Sequence, residues 1–366
     1  MSLEIFLVCA PGLEPLLAEE AREAGFASVE AGAGGVTVAG GWPEVWRANL
    51  TLRGAARVLV RIGGFHAPHL AQLDKRARKF PWAETLRTGV PVKVDVTCRK
   101  SKIYHAGAAA QRIEGALEAA GIPVSAEAEI VLKVRIEDDF VQFSLDSSGE
   151  PLHRRGFKQA VGKAPMRETL AALFLRAAGF DGSEPVVDPM CGSGTFLLEA
   201  AERAAGLHPG RARRFAFENF GSFDASAWDA MRSGSPPPEG RVRFFGSDRD
   251  QGAVKGASAN AERAGVTAMT QFTCHPVSEL QRPEGPPGLV IVNPPYGARI
   301  GNKGLLYAIY GALGETLKTR FRGWRVALVT SEKSLATATK LPFGPPGPPV
   351  PHGGLKVQLW QTKPLG

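Results

Sequence analysis

The run Leu289-Val290-Ile291-Val292, followed at once by Asn293-Pro294-Pro295-Tyr296, leaves the chain few folds to choose from. Four apolar residues in a row, three of them β-branched, form a buried strand, and the two prolines end it by removing N–H groups from the ladder. The pattern around it agrees. From about residue 162, residues 186–187 lead into a loop and a helix from Thr195, and residues 242–246 lead into a helix over 251–264. Further strands fall at 270–274, 289–292, 325–330 and 355–361. Strand then helix, repeated, predicts an α/β domain with a parallel, doubly wound sheet. Two stretches break the rhythm. Residues 207–240 form an insertion carrying Arg211, Arg213 and Arg214, the aromatics Phe215, Phe217, Phe220, Phe223 and Trp228, and Pro236-Pro237-Pro238. Residues 342–353 are rich in proline and glycine and predict a stiff loop, although Pro345, Pro346, Pro348 and Pro349 also resemble a polyproline ligand.

The chain of 366 residues is long enough for two or three domains. Ahead of the α/β part, strands at 5–9, 36–38 and 58–62 with a helix at 13–24 predict a small α+β unit. A second unit follows, with a helix, a strand at 92–98, a helix at 106–120 and strands at 130–136 and 140–145 joined by a turn at Asp138-Asp139. The expected domains are therefore 1–65, 66–152 and 153–366.

Lys and Arg number 44 against 36 Asp and Glu, a net charge of +8, which favours a polyanionic partner. Two basic clusters lie on the second unit: Lys75, Arg76, Arg78 and Lys79 near Phe80 and Trp82, and Arg99, Lys100 and Lys102 near Tyr104. Cations for phosphates beside rings for bases suit structured RNA, and two solvated faces are the plain alternative. A third stretch, His153, Arg154, Arg155, Lys158, Lys163 and Arg167, is expected along an RNA backbone or as a solubilising linker. Cys9, Cys98, Cys191 and Cys274 show no paired spacing, which argues against a zinc site or disulfides and for a reducing cytoplasm. No run approaches the roughly 20 apolar residues that span a bilayer, and residues 5–10, preceded by Glu4, lack the basic start of a signal peptide.

An exocyclic amino group on a planar base is a poor nucleophile, because its lone pair is delocalised into the ring. The Asn293 amide oxygen and the Pro294 carbonyl are two acceptors on a rigid turn, suited to hold both N–H bonds and draw that nitrogen out of conjugation. Tyr296 offers a face for the base. The tetrad resembles that of methyltransferases acting on adenine N6, cytosine N4, guanine N2 or a glutamine amide; for the bare tetrapeptide, a strand followed by a rigid turn is the alternative. Asp188-Pro189-Met190-Cys191-Gly192-Ser193-Gly194-Thr195 opens the first helix of the α/β part. Its glycines allow close approach of the backbone to a ligand, and Asp188 suits an ammonium where it would repel a pyrophosphate. Leu197 stands where a dinucleotide fingerprint needs a third glycine. Asp248, ending the second strand, is placed to accept ribose hydroxyls; its alternative is a helix cap, a role Asp250 can fill.

Across nearly the whole chain these features resemble the THUMP-domain RNA guanine-N2 methyltransferases, particularly the bacterial large-subunit (23S) rRNA branch. The resemblance is carried by Ala10-Pro11-Gly12-Leu13-Glu14, Lys100-Ser101-Lys102-Ile103-Tyr104-His105, and Asp146-Ser147-Ser148-Gly149-Glu150-Pro151-Leu152-His153-Arg154-Arg155-Gly156-Phe157. It continues in Ala164-Pro165-Met166-Arg167-Glu168-Thr169-Leu170-Ala171-Ala172 and the two motifs above. It implies a ferredoxin-like domain, a THUMP domain that grips RNA and a Rossmann-like catalytic domain using S-adenosyl-L-methionine, with no metal and no membrane. By position, Asp188, Met190, Cys191, Gly192, Gly194 and Thr195 would line the methionine end of that cofactor and Asp248 its ribose. Pro165, Met166 and Thr169 would pack over it, and Asn293, Pro294, Pro295 and Tyr296 would take the target base. Lys75, Arg76, Lys79, Arg99, Lys100, Lys102, Arg154, Arg155 and Lys158 would contact RNA.

One departure stands out: no acid follows the third strand, where Cys274-His275-Pro276-Val277-Ser278 leaves the adenine contacts unassigned. Guanine-N2 methylation of tRNA and a non-catalytic RNA-binding assembly factor are the alternatives, and the basic N-terminal units disfavour DNA as substrate.

Overall fold

The computed structural model describes residues 2–159, 166–233, 243–296 and 303–366, which form two compact units. The first comprises Met1–Cys9, Ala18–Leu152 and Arg213–Ser233. Its framework is one mixed seven-stranded sheet in the order β2-β3-β1-β4-β7-β6-β5. The strands are β1 (Leu3–Val8), β2 (Ala27–Gly32), β3 (Gly35–Gly40), β4 (Arg57–His66), β5 (Val92–Arg99), β6 (Ile130–Glu137) and β7 (Phe140–Asp146). Helices α1 (Glu14–Glu23), α2 (Trp42–Thr51), α3 (Leu70–Ala77) and α4 (Ala106–Ala119) fall between them. Both expected N-terminal units thus contribute to a continuous sheet, because β4 pairs antiparallel with β1 along one edge and with β7 along the other. The turn at Asp138-Asp139 has φ of 50° and 62°, the doubly left-handed conformation that matches the twist of a tight hairpin.

The aromatic residues of the insertion belong to this unit's core. Phe217 stacks on Trp46 of α2 at 6.1 Å, Phe223 meets the same indole edge-on at 5.9 Å, and Phe217 meets Trp228 of α7 (Ala225–Arg232) at 5.0 Å. The stretch after β7 is also structural. Ser148 Oγ donates to Asn49 Oδ1 at 2.6 Å and accepts from Val58 N at 2.8 Å, while Arg57 pairs with the buried Asp146. Trp82, expected to present a stacking face, instead joins Phe143 in the core, 1% exposed with its indole N–H donating to Ala77 O at 2.8 Å, and the half-buried Phe80 packs against both rings.

The second unit comprises Ala10–Leu17, His153–Ala212 and Gly234–Gly366. Its sheet runs β10-β9-β8-β11-β12-β14-β13. The strands are β8 (Val186–Asp188), β9 (Phe244–Asp248), β10 (Thr270–Cys274), β11 (Leu289–Val292), β12 (Arg325–Thr330), β13 (Val350–His352) and β14 (Leu355–Gln361). The first five are parallel and β14 returns antiparallel to β12, so this half has a Rossmann-like methyltransferase fold. β11 sits between β8 and β12 and all four of its residues are buried, as its uninterrupted apolar sequence demands. Helices α5 (Glu168–Ala177), α6 (Thr195–Ala204) and α8 (Gln251–Ala264) accompany the first three strands; α9 (Lys303–Arg320) and α10 (Lys333–Ala338) flank β12 in sequence. The proline-rich loop is tied to β14 by Gly344 N–H to Gln361 O and Gly347 N–H to Leu359 O, both 2.9 Å. Among the described residues no helix is long and apolar enough to cross a membrane.

Candidate active site

The parallel strands β8, β9 and β11 end side by side, and a cavity of about 410 Å³ opens beyond them. Its walls are Pro189 and Met190 after β8, Asp248 and Arg249 after β9, Pro276, Val277 and Ser278 after β10, and Asn293 and Pro295 after β11. One face of α9, Ala308, Ile309 and Ala312, closes it. Three motifs 45 to 105 residues apart in sequence thus meet where a doubly wound sheet binds ligands.

The loop after β8 turns on two glycines. Gly192 has φ +52° and an added Cβ there would meet nothing within 4 Å; Gly194 caps α6 at φ +81°, where a Cβ would press on Ala257 at 3.2 Å. Gly192 N–H donates to Asp248 Oδ2 at 3.1 Å, and Asp248 Oδ1 accepts from Asp250 N–H at 3.0 Å. Each Asp248 oxygen keeps a further lone-pair site for a ligand. Asp250 caps α8 through Gly252 N–H at 2.8 Å, which frees Asp248 from that duty.

Asp188 is 2% exposed. Burial carries its carboxyl up to about 8, against the Met190 N–H that it accepts at 3.1 Å and with the Asp248 charge reinforcing the rise. Burial likewise pushes the Cys191 thiol well above its ordinary value, with Asp188 and Asp248 adding to it. Such a pair of acids favours a cationic ligand group.

Asn293 stands in the cavity wall, and its Oδ1 is buried without a hydrogen-bond partner. An orphaned buried acceptor carries a desolvation cost, and a donor on a ligand would relieve it. Pro295 lines the cavity as well, whereas Pro294 is buried outside its lining. Tyr296 differs from expectation: its ring is 0% exposed, so it offers no open face for a base.

Of the other expected cofactor residues, Cys191, Thr195, Met166 and Thr169 are buried and lie outside the cavity lining. Pro165, Ala164 and Lys163 fall outside the described residues. Arg249 and the α9 face are walls that no sequence motif marks, while Pro276, Val277 and Ser278 belong to the stretch whose adenine contacts are unassigned in the sequence. The spacing of Ala308, Ile309 and Ala312 is the sequence signal of the α9 face, and it is diluted by Gly304, Gly311 and Gly314. His275 is occupied in its turn, its ring nitrogens 3.1 Å from Thr273 Oγ1 and 3.1 Å from Pro276 O. A second hollow of about 440 Å³, on the sheet face bearing Val187, Phe245 and Ser247, contains none of the expected residues.

The cations expected on RNA divide. Lys75, Arg76, Lys79, Arg99, Lys100, Lys102 and Arg154 are exposed. Arg155 and Lys158 are not, and that expectation is corrected: Arg155 Nε meets Glu199 Oε1 of α6 at 3.2 Å with side-chain exposures of 4% and 2%. Lys158 Nζ meets Glu168 Oε1 at 3.0 Å. Buried carboxylates need paired charge, and these two cations supply it.

Similarity to known proteins points the same way. Residues 155–342 match the RMKL-like methyltransferase domain and residues 4–59 the RlmL ferredoxin-like domain. The ribosomal RNA large subunit methyltransferase K/L of Marinomonas sp. is 32% identical over 97% of this chain and 52% of its own length. The chain thus spans about half the length of the K/L relatives it matches. A putative RNA methyltransferase of Synechocystis sp., slr0064, is 30% identical over 97% of this chain and 95% of its own length. The structure of SMU.472, a putative methyltransferase complexed with SAH, shares the fold with a TM-score of 0.90 at 24% identity, covering 100% of this chain and 99% of that one.

Proposed function

The chain belongs to the RMKL-like methyltransferase family, and on that premise we propose that it methylates the exocyclic N2 amino group of a guanine in 23S rRNA, in the cytoplasm. The methyl donor is S-adenosyl-L-methionine, whose sulfonium supplies an electrophilic methyl group. Three features of the site fit this donor. Asp188 is a buried acid suited to an ammonium, Asp248 offers unused lone pairs toward the cavity, and Gly192 leaves room for close approach.

The observation that carries the reading is the unpartnered Asn293 Oδ1. An amino group has donors to give, and accepting one of them both satisfies Asn293 and localises the nitrogen lone pair. Guanine N2 loses no proton before attack, so holding the nitrogen in line with the methyl group should dominate over general-base catalysis. A base in a duplex must first leave its stack to reach such a cavity. The domain assignment we propose is ferredoxin-like for 1–65, THUMP for 66–152 and catalytic for 153–366 apart from the excursion at 213–233, with exposed Lys75, Arg76, Lys79, Arg99, Lys100, Lys102 and Arg154 meeting phosphates.

Nucleoside mass spectrometry of ribosomal and transfer RNA from a strain lacking the protein tests this. Loss of N2-methylguanine from 23S rRNA is expected. Intact N2-methylguanine there, with a loss of N6-methyladenine or of a tRNA modification, would refute the assignment.

A further inference from the structure

The Lys158 ammonium has three N–H bonds and three acceptors around it: Met166 O at 2.8 Å, Glu168 Oε1 at 3.0 Å and Thr195 Oγ1 at 3.3 Å. Its side chain is 8% exposed. With every donor engaged inside the protein, this cation has nothing left for a phosphate.

Its acceptors come from two separate places. Met166 and Glu168 stand at the start of α5, and Thr195 opens α6 directly after the glycine loop. Neighbouring residues hold Lys158 in position from both sides. Arg263 Nε donates to Phe157 O at 2.8 Å, and Gln159 N–H donates to Asn260 Oδ1 at 3.2 Å. Asn260, 0% exposed, passes the restraint on through Nδ2 to Ser193 O at 3.0 Å. Residues 157–159 are therefore fixed on helix α8 and on the glycine loop together, and the Lys158 stem has no freedom to swing away.

A consequence falls on Thr195. A hydroxyl that accepts from an ammonium is left with its O–H to give, and the ammonium polarises that bond. Ser193 Oγ, 3.3 Å away, is one protein group within its reach among the described residues.

We propose that Lys158 is a positioning residue for the methyl donor: it pins the Met166 carbonyl and the Thr195 hydroxyl to one another behind the cavity lining, so that the glycine loop between Met190, which lines the cavity, and Thr195 is preset for the amino-acid end of the donor. The inference rests on the proposed function, since it assumes that S-adenosylmethionine is bound at this loop. Glu168 supplies the charge that keeps the ammonium buried. Its carboxyl is raised by its own burial and pulled back by Lys158, so the two are partners in stability as well.

The test separates those roles in the full chain with Lys158→Met, Lys158→Arg and the double variant Lys158→Met/Glu168→Gln. Binding of S-adenosylmethionine is read by calorimetry, binding of transcribed 23S rRNA by filter retention, and folding by thermal melt. We expect Lys158→Met to weaken donor binding about tenfold, the scale of one lost charge-assisted hydrogen bond, with RNA affinity unchanged and Lys158→Arg in between. The double variant should regain thermal stability without regaining donor affinity, and it carries the test if Lys158→Met alone does not fold. Donor affinity restored in the double variant would reduce Lys158 to charge balance and overturn the proposal. So would a loss confined to RNA binding. Absence of donor binding by the unmodified chain would remove the proposed function itself.

Discussion

Gly192 N–H donates to Asp248 Oδ2 at 3.1 Å, which joins the glycine loop after β8 to the acid at the end of β9. Replacing Asp248 removes that brace together with the acceptors proposed for the ribose. Asp248→Ala should weaken S-adenosylmethionine binding by roughly 100-fold, about two charge-assisted hydrogen bonds. Asp248→Asn, which keeps one acceptor oxygen, should fall between. Calorimetry on both variants checks the order, and equal affinity for all three proteins would remove Asp248 from the site.

Asn293 Oδ1 acts, on this reading, at the reacting nitrogen and not at the donor. Asn293→Ala should therefore cut the single-turnover methylation rate by about 100-fold or more, as loss of one oriented polar group does elsewhere, while donor affinity stays near that of the unmodified chain. An unchanged rate would sink the role given to the tetrad.

Much of this site was legible before any coordinate. β11 and β12 fall on their apolar runs, because strands buried in a parallel sheet advertise themselves without reference to distant partners, and the exposed edge strand β10 and the antiparallel β14 keep their expected bounds as well. Helix α9 was not legible, since Gly304, Gly311 and Gly314 weaken its helical signal. Packing explains one of them: a Cβ on Gly314 would lie 1.8 Å from Thr339 O beyond α10. Edge strand β2 escaped for the opposite reason, being almost wholly exposed and held by its pairing with β3. Arg155 and Lys158 misled as a basic run because the carboxylates that claim them, Glu199 and Glu168, sit on helices that a charge count does not see.

The pH dependence of stability follows from Asp188. Its carboxyl ionises near its ordinary 3.8 in the unfolded chain and near 8 in the folded one. The folded state thus holds the proton more tightly, its contribution is fully present below pH 4, and stability is lost as pH rises from about 4 to about 8. Denaturant unfolding of the ligand-free chain across that range should show the decline, and Asp188→Asn should flatten it. A donor ammonium lowers this carboxyl's pKa, so donor binding near neutral pH should release a proton, visible as a buffer-dependent calorimetric enthalpy.

Arg155 tests whether the connecting stretch is structural or RNA-facing. Its partner Glu199 is 2% exposed, so Arg155→Met takes a paired cation away from a buried carboxylate, at a cost of about 3 kcal/mol. Thermal and denaturant unfolding should register the loss, and Glu199→Gln in the same chain should return part of it. RNA affinity measured on the folded fraction should stay within twofold. A variant of undiminished stability with weakened RNA binding would restore the surface role that burial denies it.

The remaining cations make a different prediction, because they face solvent. Lys100 and Lys102 precede the most exposed large hydrophobic residue of the described residues, Tyr104, at 73%. Lys100 adopts φ +46°, a conformation that costs energy for a side chain of this kind, and Lys102 N–H is anchored on Asp139 Oδ1 at 2.8 Å. A loop held out so firmly, with two ammonium groups beside an open ring, matches a strand of RNA whose phosphates meet the lysines and one of whose bases meets the tyrosine. The two kinds of contact separate by salt. Lys100→Gln/Lys102→Gln should lower the slope of log affinity against log salt by about 1.5, since each neutralised phosphate contributes roughly 0.7 to 0.9. Tyr104→Ala should instead leave that slope intact and weaken binding at every salt concentration, by about 1 to 3 kcal/mol for one stacked base. Were both variants to bind RNA with unaltered slope and affinity, this loop would be a solvated edge and the RNA would have to be gripped elsewhere.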